Sequence, residues 1–335
     1  MSLIYSPFTF MASTSLMVST LMALSSANWV LLWSAMELNL LSFIPLILHS
    51  STNQETEGSV KYFLAQALGS SILLMSSSAM WMPFTPWPNA MPFILTLAIM
   101  LKLGSVPCHF WYPSVMSSIS WISCLILSTW QKLAPLSIMA YILSMNNMIL
   151  VTTMAGLNAL IGGIMGMNQS QMRTIMAYSS IGHIGWMLSL MSIFKPNASM
   201  MYFVVYSILI TPLFIVFSKF NIFTVKHLSK LSVISQNTHL STIMLFMSLG
   251  GLPPLTGFMP KFMSIMLLTE SMSLIMLMLI MGSIMNLYFY LNIVISMLFS
   301  SSNLNTSTPT STKSTPILIL SAAVMSLGLA PLILM

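Results

Sequence analysis

Charge is nearly missing from this chain: of 335 residues, 4% are charged, four acidic and ten basic. At that density no segment carries enough polar surface for a water-soluble domain. The remainder, 57% hydrophobic with a mean hydropathy of +0.92, reads as a single membrane domain spanning residues 1–335. Cysteine is also scarce. Cys108 and Cys124 form no CxxC pair and lie in apolar stretches, which argues against a disulfide or an iron–sulfur site. The first 25 residues lack both the Arg-rich amphipathic pattern of a transit peptide and the basic n-region of a secretory signal, so they read as a first span. No GxGxxG follows a strand pattern, no P-loop lysine occurs, and the histidines do not form the paired sets that hold haem between helices. The chain is therefore expected to hold no redox cofactor, nucleotide or metal. Its net charge of +6 is dispersed along the sequence, partly inside apolar runs, which sets nucleic acid aside as a partner.

What is present is a succession of long apolar runs. A window of about 19 residues gives roughly eleven spans, at 3–24, 26–49, 59–81, 92–111, 117–142, 147–167, 172–193, 198–220, 238–267, 271–297 and 316–334. The expected fold is an all-α polytopic bundle with two or more broken helices. Its connections are mostly short, the exceptions being the stretch after Lys219, the Asn/Gln/Glu loop around Asn53 to Glu57 and the polar low-complexity run at about 299–315, which includes SSSNLNTSTPTSTKST. With eleven spans, Lys61, Arg173, Lys219, Lys226, Lys230 and Lys313 share the face of the N-terminus, and the other face has essentially Lys195 alone. By the positive-inside rule the N-terminus is inside and the C-terminus outside. In AGLNALIGGIMG, Ala155, Ala159 and Gly163 form a stripe flanked by Gly162 and Gly166, a pattern that lets two helix backbones approach closely.

Four ionisable residues stand within the apolar runs: Glu37, Lys102, Lys132 and Lys261. Each charge at the bilayer centre costs about 2.5–3.5 kcal/mol, so four isolated ones would cost roughly 10 to 14 kcal/mol. Such residues are expected to be paired, hydrated and functional. Lys102 precedes Gly104 and Pro107, Lys132 precedes Pro135, and Lys261 follows Gly250, Gly251, Pro253, Pro254, Gly257 and Pro260. Each lysine thus sits beside an expected helix break of the kind that lines a polar cavity. Burial disfavours the ammonium form and a nearby carboxylate restores it, so small movements can load or release a proton. Glu37, in WSAMELNLLSF, is the acid placed to partner one of these lysines, and at about 4 Å such a pair gains roughly 4 kcal/mol. Static ion pairs or lysines snorkelling to the interface are the alternative reading.

His109, in VPCHFWYP, and His183, in SSIGHIGWM, are the other titratable groups inside spans and are possible relay members. His109 would share a face with Lys102 if the break at Pro107 were mild. His49, His227 and His239 fall at span ends, and Arg173 reads as a first-turn anchor.

Read in order, WSAMELNLLSFIPL, SVKYFLAQALGSSILL, KLGSVPCHFWYP, TWQKLAPLS, NQSQMRTIMAYSSIGHIGWM and SLGGLPPLTGFMPKF resemble the chain 2 family of antiporter-like membrane subunits of respiratory complex I, the mitochondrial NADH-ubiquinone oxidoreductase. The match runs from about Trp29 to Tyr290. The resemblance implies eleven spans with the N-terminus in the matrix and the C-terminus in the intermembrane space of the mitochondrial inner membrane. It further implies a glutamate paired with a lysine on a broken helix, a second lysine linking half-channels and a third on another broken helix. These roles map onto Glu37 with Lys102, then Lys132, then Lys261. The 36 methionines fit a mitochondrially encoded chain, whose code reads an extra codon as Met. Two positions depart from the family pattern: Cys108, where Phe is usual, and Thr174, where a second basic residue commonly follows Arg173.

The function implied is that of a subunit of H+-translocating NADH:ubiquinone reductase, moving protons while redox chemistry proceeds elsewhere. FMN, iron–sulfur clusters and ubiquinone would lie in other subunits. Expected partners are the other membrane-arm subunits, neighbouring antiporter-like and accessory ones included, and membrane lipids such as cardiolipin. The alternative is a structural or electrostatic coupling subunit with no net proton path of its own.

Overall fold

A computed structural model describes residues 7–48, 52–81, 90–143, 148–229, 231, 236–269 and 272–302. The expected last span at 316–334, residues 303–315 of the polar run with Lys313, and also Lys230 and His49, lie outside the described residues. The described part is helical and carries no named strand, as the apolar runs require, since a chain in hydrocarbon must satisfy its backbone groups internally. Seven helical stretches among the described residues, Trp121–Leu143 counted as one, are long and apolar enough to cross a membrane. The chain divides into two compact units, Met1–Met154 and Ala155–Met335.

The first unit contains α1 (Pro7–Ser25), α2 (Trp29–Ile47), α3 (Asn53–Trp81), α4 (Met91–Leu103), α5 (Trp111–Ser118), α6 (Trp121–Ser128) and α7 (Trp130–Leu143). Here α3 packs against α2, α4 and α5, while α7 packs against α1, α4 and α6. The expected span at 92–111 is cut short at Leu103 by Gly104, whose φ of 69° is the left-handed conformation of a glycine helix cap. Three of the freed carbonyls of α4 are accounted for. Met100 accepts from the Ser105 amide at 3.0 Å, Leu101 from the Trp111 indole at 3.0 Å and Lys102 from the Gln66 amide at 3.2 Å.

The expected span at 117–142 is resolved into the end of α5 and the helices α6 and α7. Its second interruption falls at Thr129, whose hydroxyl donates to the Leu125 carbonyl at 2.7 Å. Pro135, expected to break the helix beside Lys132, lies instead inside a continuous α7. A proline removes one backbone donor, here the partner of the Gln131 carbonyl, and the tertiary packing of α7 tolerates that loss.

The second unit contains α9 (Met172–Ser192), α10 (Pro196–Phe220), a 3-10 turn (Val225–Leu228), α11 (Gln236–Gly250), α12 (Phe258–Thr269) and α13 (Ser273–Ser302), with the unit boundary falling inside α8 (Met148–Met167). The small-residue stripe of α8 is used on two sides. A Cβ on Gly162 would lie 2.7 Å from the Gly182 nitrogen of α9, and one on Gly282 of α13 would lie 2.4 Å from the Ala159 carbonyl oxygen. Only hydrogen fits at either contact, which is how unbranched backbones gain dispersion energy where no hydrophobic drive operates. The expected span at 238–267 is split between α11 and α12, and the chain between them turns at Gly251, with φ of 82°.

Candidate functional site

In the first unit, one face of α3 organises the charges. Tyr62, Gln66 and Ser70 follow one another at four-residue spacing and so lie along one stripe of the helix. Ser70 donates its hydroxyl to the Glu37 carboxylate of α2. Beside it, Gly69 makes room for the stem of Lys102, since a Cβ there would lie 2.9 Å from Lys102 Cγ. Glu37 is half-buried and acts on Lys102 electrostatically, yet the two do not close to the 4.0 Å of a contact ion pair. The expected contact at about 4 Å is thus replaced by a separated pair, with the Ser70 hydroxyl holding the acid. Lys102 itself is 6% exposed and sits in the last turn of α4, where the helix dipole favours a cation.

Lys132 faces the opposite situation. It is 3% exposed and occupies the first turn of α7, the end where a helix disfavours positive charge. Its ammonium lies 4.8 Å from the centre of the Tyr112 ring of α5, a cation–π contact that offsets part of that cost. A single cavity is lined by both lysines together with Asn39, Gln66, Tyr112 and Gln131. It admits a water-sized sphere over about 20 Å³, enough for one water. Two helix ends therefore present a lysine of favourable and a lysine of unfavourable dipole setting to one small polar space.

His109 is buried, with Nδ1 3.3 Å from the Pro107 carbonyl and its ring against Phe110. Because α4 stops at Leu103, the shared helical face with Lys102 does not extend to His109, which does not line the cavity.

In the second unit, Lys261 of α12 reaches back to the broken end of α11. Its ammonium donates to the carbonyls of Gly250 at 2.8 Å and Leu249 at 3.3 Å. These are carbonyls that the helix end leaves without an intrahelical donor, and the negative end of the dipole adds to the attraction. Gly251 is required twice: by its positive φ, and because a Cβ would lie 2.8 Å from Lys261 Nζ. The returning chain is equally tight, with a Gly257 Cβ falling 1.7 Å from the Ser248 carbonyl oxygen.

His183 of α9 comes to the same break. Its Nδ1 is 2.9 Å from the Tyr202 hydroxyl, its ring is 4.9 Å from that of Tyr206, and it lines a small cavity with Ser248, Leu249 and Pro260. The Leu249 carbonyl that binds Lys261 is thus part of a residue facing the histidine's cavity. His239, expected at an interface, is buried in the first turn of α11.

Reading by ionisable residues misses Ser70, Gln66, Asn39, Gln131, Tyr112 and the Tyr202–Tyr206 pair. The Tyr62–Gln66–Ser70 spacing and the Tyr202–Tyr206 spacing are visible in the sequence as four-residue polar stripes on apolar helices. Asn39 and Gln131 carry no such signal.

Residues 26–85 and 86–286 match the family model of the NADH:quinone oxidoreductase/Mrp antiporter transmembrane region. A curated relative from Lumbricus terrestris, NADH-ubiquinone oxidoreductase chain 2, is 61% identical over 335 residues, covering 100% of both chains. The chain belongs to the NADH-ubiquinone oxidoreductase chain 2 family. Another chain 2 protein, from Oryctolagus cuniculus, is 38% identical over 292 residues, 84% of this chain and 83% of the relative. A chain from respiratory complex I of Thermus thermophilus with bound aureothin has the same fold, with a TM-score of 0.85 at 20% identity over 98% of this chain and 78% of that one. Chain 2 membership agrees with an all-helical membrane architecture in which buried lysines accompany interrupted helices.

Proposed function

We propose that this chain is a membrane-arm subunit of respiratory complex I in the mitochondrial inner membrane. In this reading it carries protons across that membrane while NADH is oxidised and ubiquinone reduced in other subunits, which hold the FMN and iron–sulfur clusters. The observation that carries the reading is the placement of Lys102, Lys132 and Lys261 at helix interruptions, each buried and each stabilised by a different local device. A row of static charges would need no such differences. Moving one charge against 100 mV costs about 2.3 kcal/mol, so the work must come from the redox subunits through the assembly.

The proposed cycle is electrostatic. A change in a neighbouring subunit moves the Glu37 carboxylate relative to Lys102, and the ammonium of Lys102 loses stabilisation. Its proton passes by water to Lys132, and the second unit releases a proton at Lys261, whose hold on the α11 carbonyls favours the charged form until the break rearranges. The basic residues support a matrix-side N-terminus. Arg173 begins α9, Lys195 lies at the turn after it, and Lys219 ends α10, so two of these three charges share one end of the α9–α10 hairpin. That end is tied together by the Met172 amide donating to the Phe223 carbonyl at 2.9 Å, and by Arg173 lying 4.9 Å from the centre of the Phe223 ring. Membrane lipids, cardiolipin included, and the adjoining antiporter-like and accessory subunits are the partners in this reading.

Lys102→Met tests the assignment. The complex is expected to assemble and to co-migrate with NADH dehydrogenase activity on a native gel, while proton transport by the reconstituted complex falls steeply. Loss of assembly with transport per assembled complex unchanged would assign the chain a scaffold role instead.

A further inference from the structure

The cavity between Lys102 and Lys132 contains two amides that neither lysine explains. Asn39 of α2 is 3% exposed, and its Oδ1 is buried with no hydrogen-bond partner among the described residues. Gln131 of α7 lines the same cavity, and its Nε2 is likewise buried with no partner among them. A buried polar atom left unsatisfied loses its hydration without replacement, so two in one small space amount to a defect unless something bonds to both. One is an acceptor and the other a donor. A species that both donates and accepts, and fits about 20 Å³, satisfies the pair. Water has that size and that bonding, and buried waters bind where two to four polar partners converge.

We propose that Asn39 and Gln131 form a dedicated site for a single bound water that bridges Lys102 and Lys132. This rests on the relay reading of the two lysines and adds the residues that hold the carrier between them. The water donates to Asn39 Oδ1 and accepts from Gln131 Nε2, which leaves one hydrogen and one lone pair for the lysines. In the transfer step an N–H bond of the Lys102 ammonium breaks as an O–H bond forms on the water. The water's second O–H breaks as the neutral Lys132 amine takes that proton, and the water is regenerated. Asn39 and Gln131 are positioning residues: neither gains nor loses a proton, and each fixes the direction in which the water can pass one. Neither is ionisable, which is why a search for charges overlooks them.

The test uses the assembled complex, imaged by electron cryo-microscopy at a resolution that shows ordered waters, with proton transfer per NADH measured on the same preparations. Wild type is expected to show density within about 3.2 Å of both Asn39 Oδ1 and Gln131 Nε2. Asn39→Leu and Gln131→Met, near-isosteric changes on two different helices, are each expected to lose it and to lower the proton ratio as far as Lys132→Met does. If one variant fails to assemble, the other carries the test. Absence of density in wild type, its persistence in both variants, or an unchanged ratio once it is lost would each overturn the proposal. If Lys132→Met itself leaves the ratio unchanged, the relay reading fails, while the density comparison still decides the water site.

Discussion

Lys261→Arg is expected to leave the complex assembled and electron transfer measurable, and to slow proton transport through this chain by about 10²-fold or more, the usual worth of a positioned acid–base group. The guanidinium keeps the positive charge and several N–H donors, so it can still cap the Gly250 and Leu249 carbonyls. It does not give up a proton in the physiological range, so a residue that must release one is disabled while a residue that only supplies charge is spared. Lys261→Met provides the comparison, since it removes charge, donors and proton together. Transport surviving in the Arg variant and lost in the Met variant would make Lys261 an electrostatic element with no proton of its own to pass. Proton flux in reconstituted vesicles, normalised to assembled complex, is the measurement.

Gly251→Val is expected to damage the same site from the backbone side. A β-branched residue at a φ of 82° costs about 1–3 kcal/mol in strain. The new Cβ also comes within 2.8 Å of Lys261 Nζ and drives the ammonium off its two carbonyls. Both effects weaken the α11–α12 break, so the yield of assembled complex should fall severalfold and the remainder should transport poorly. Gly251→Val combined with Lys261→Ala separates the two effects: relief of the clash should recover part of the yield and none of the transport. A yield that does not improve in the double variant would locate the whole cost in the backbone. Native-gel yield and flux per assembled complex give the two readings.

The positions of the breaks beside Lys102 and Lys261 were legible from glycine, because Gly104 and Gly251 adopt a backbone conformation that other residues resist. The break beside Lys132 was not, since proline points to the wrong place. Pro135 is absorbed within α7, and the interruption falls at Thr129, a residue with no strong breaking tendency. Hydropathy windows also ran 92–111, 117–142 and 238–267 as continuous spans, because the residues that interrupt these helices are themselves largely apolar.

Charge placement pointed to Lys102, Lys132 and Lys261, which are buried, and to Glu37, which is half-buried, but it could not tell a contact pair from a separated one. That distinction depends on Ser70 and Gly69, which belong to a third helix. The cavity lies further from the sequence still. Its lining comes from α2 through Asn39, α3 through Gln66, α4 through Lys102, α5 through Tyr112, α6 through Leu127 and α7 through Gln131 and Lys132. Six helices that meet only in three dimensions leave no local pattern to read.

The central claim is that protons pass through this chain, and it is tested most directly by the number of protons transferred per NADH oxidised in liposomes containing the assembled complex, wild type against Lys132→Met. With assembly checked and electron transfer still running, a lower ratio in the variant is the expected result. A ratio equal to wild type would contradict the account and leave the chain as a coupling or structural element of the complex.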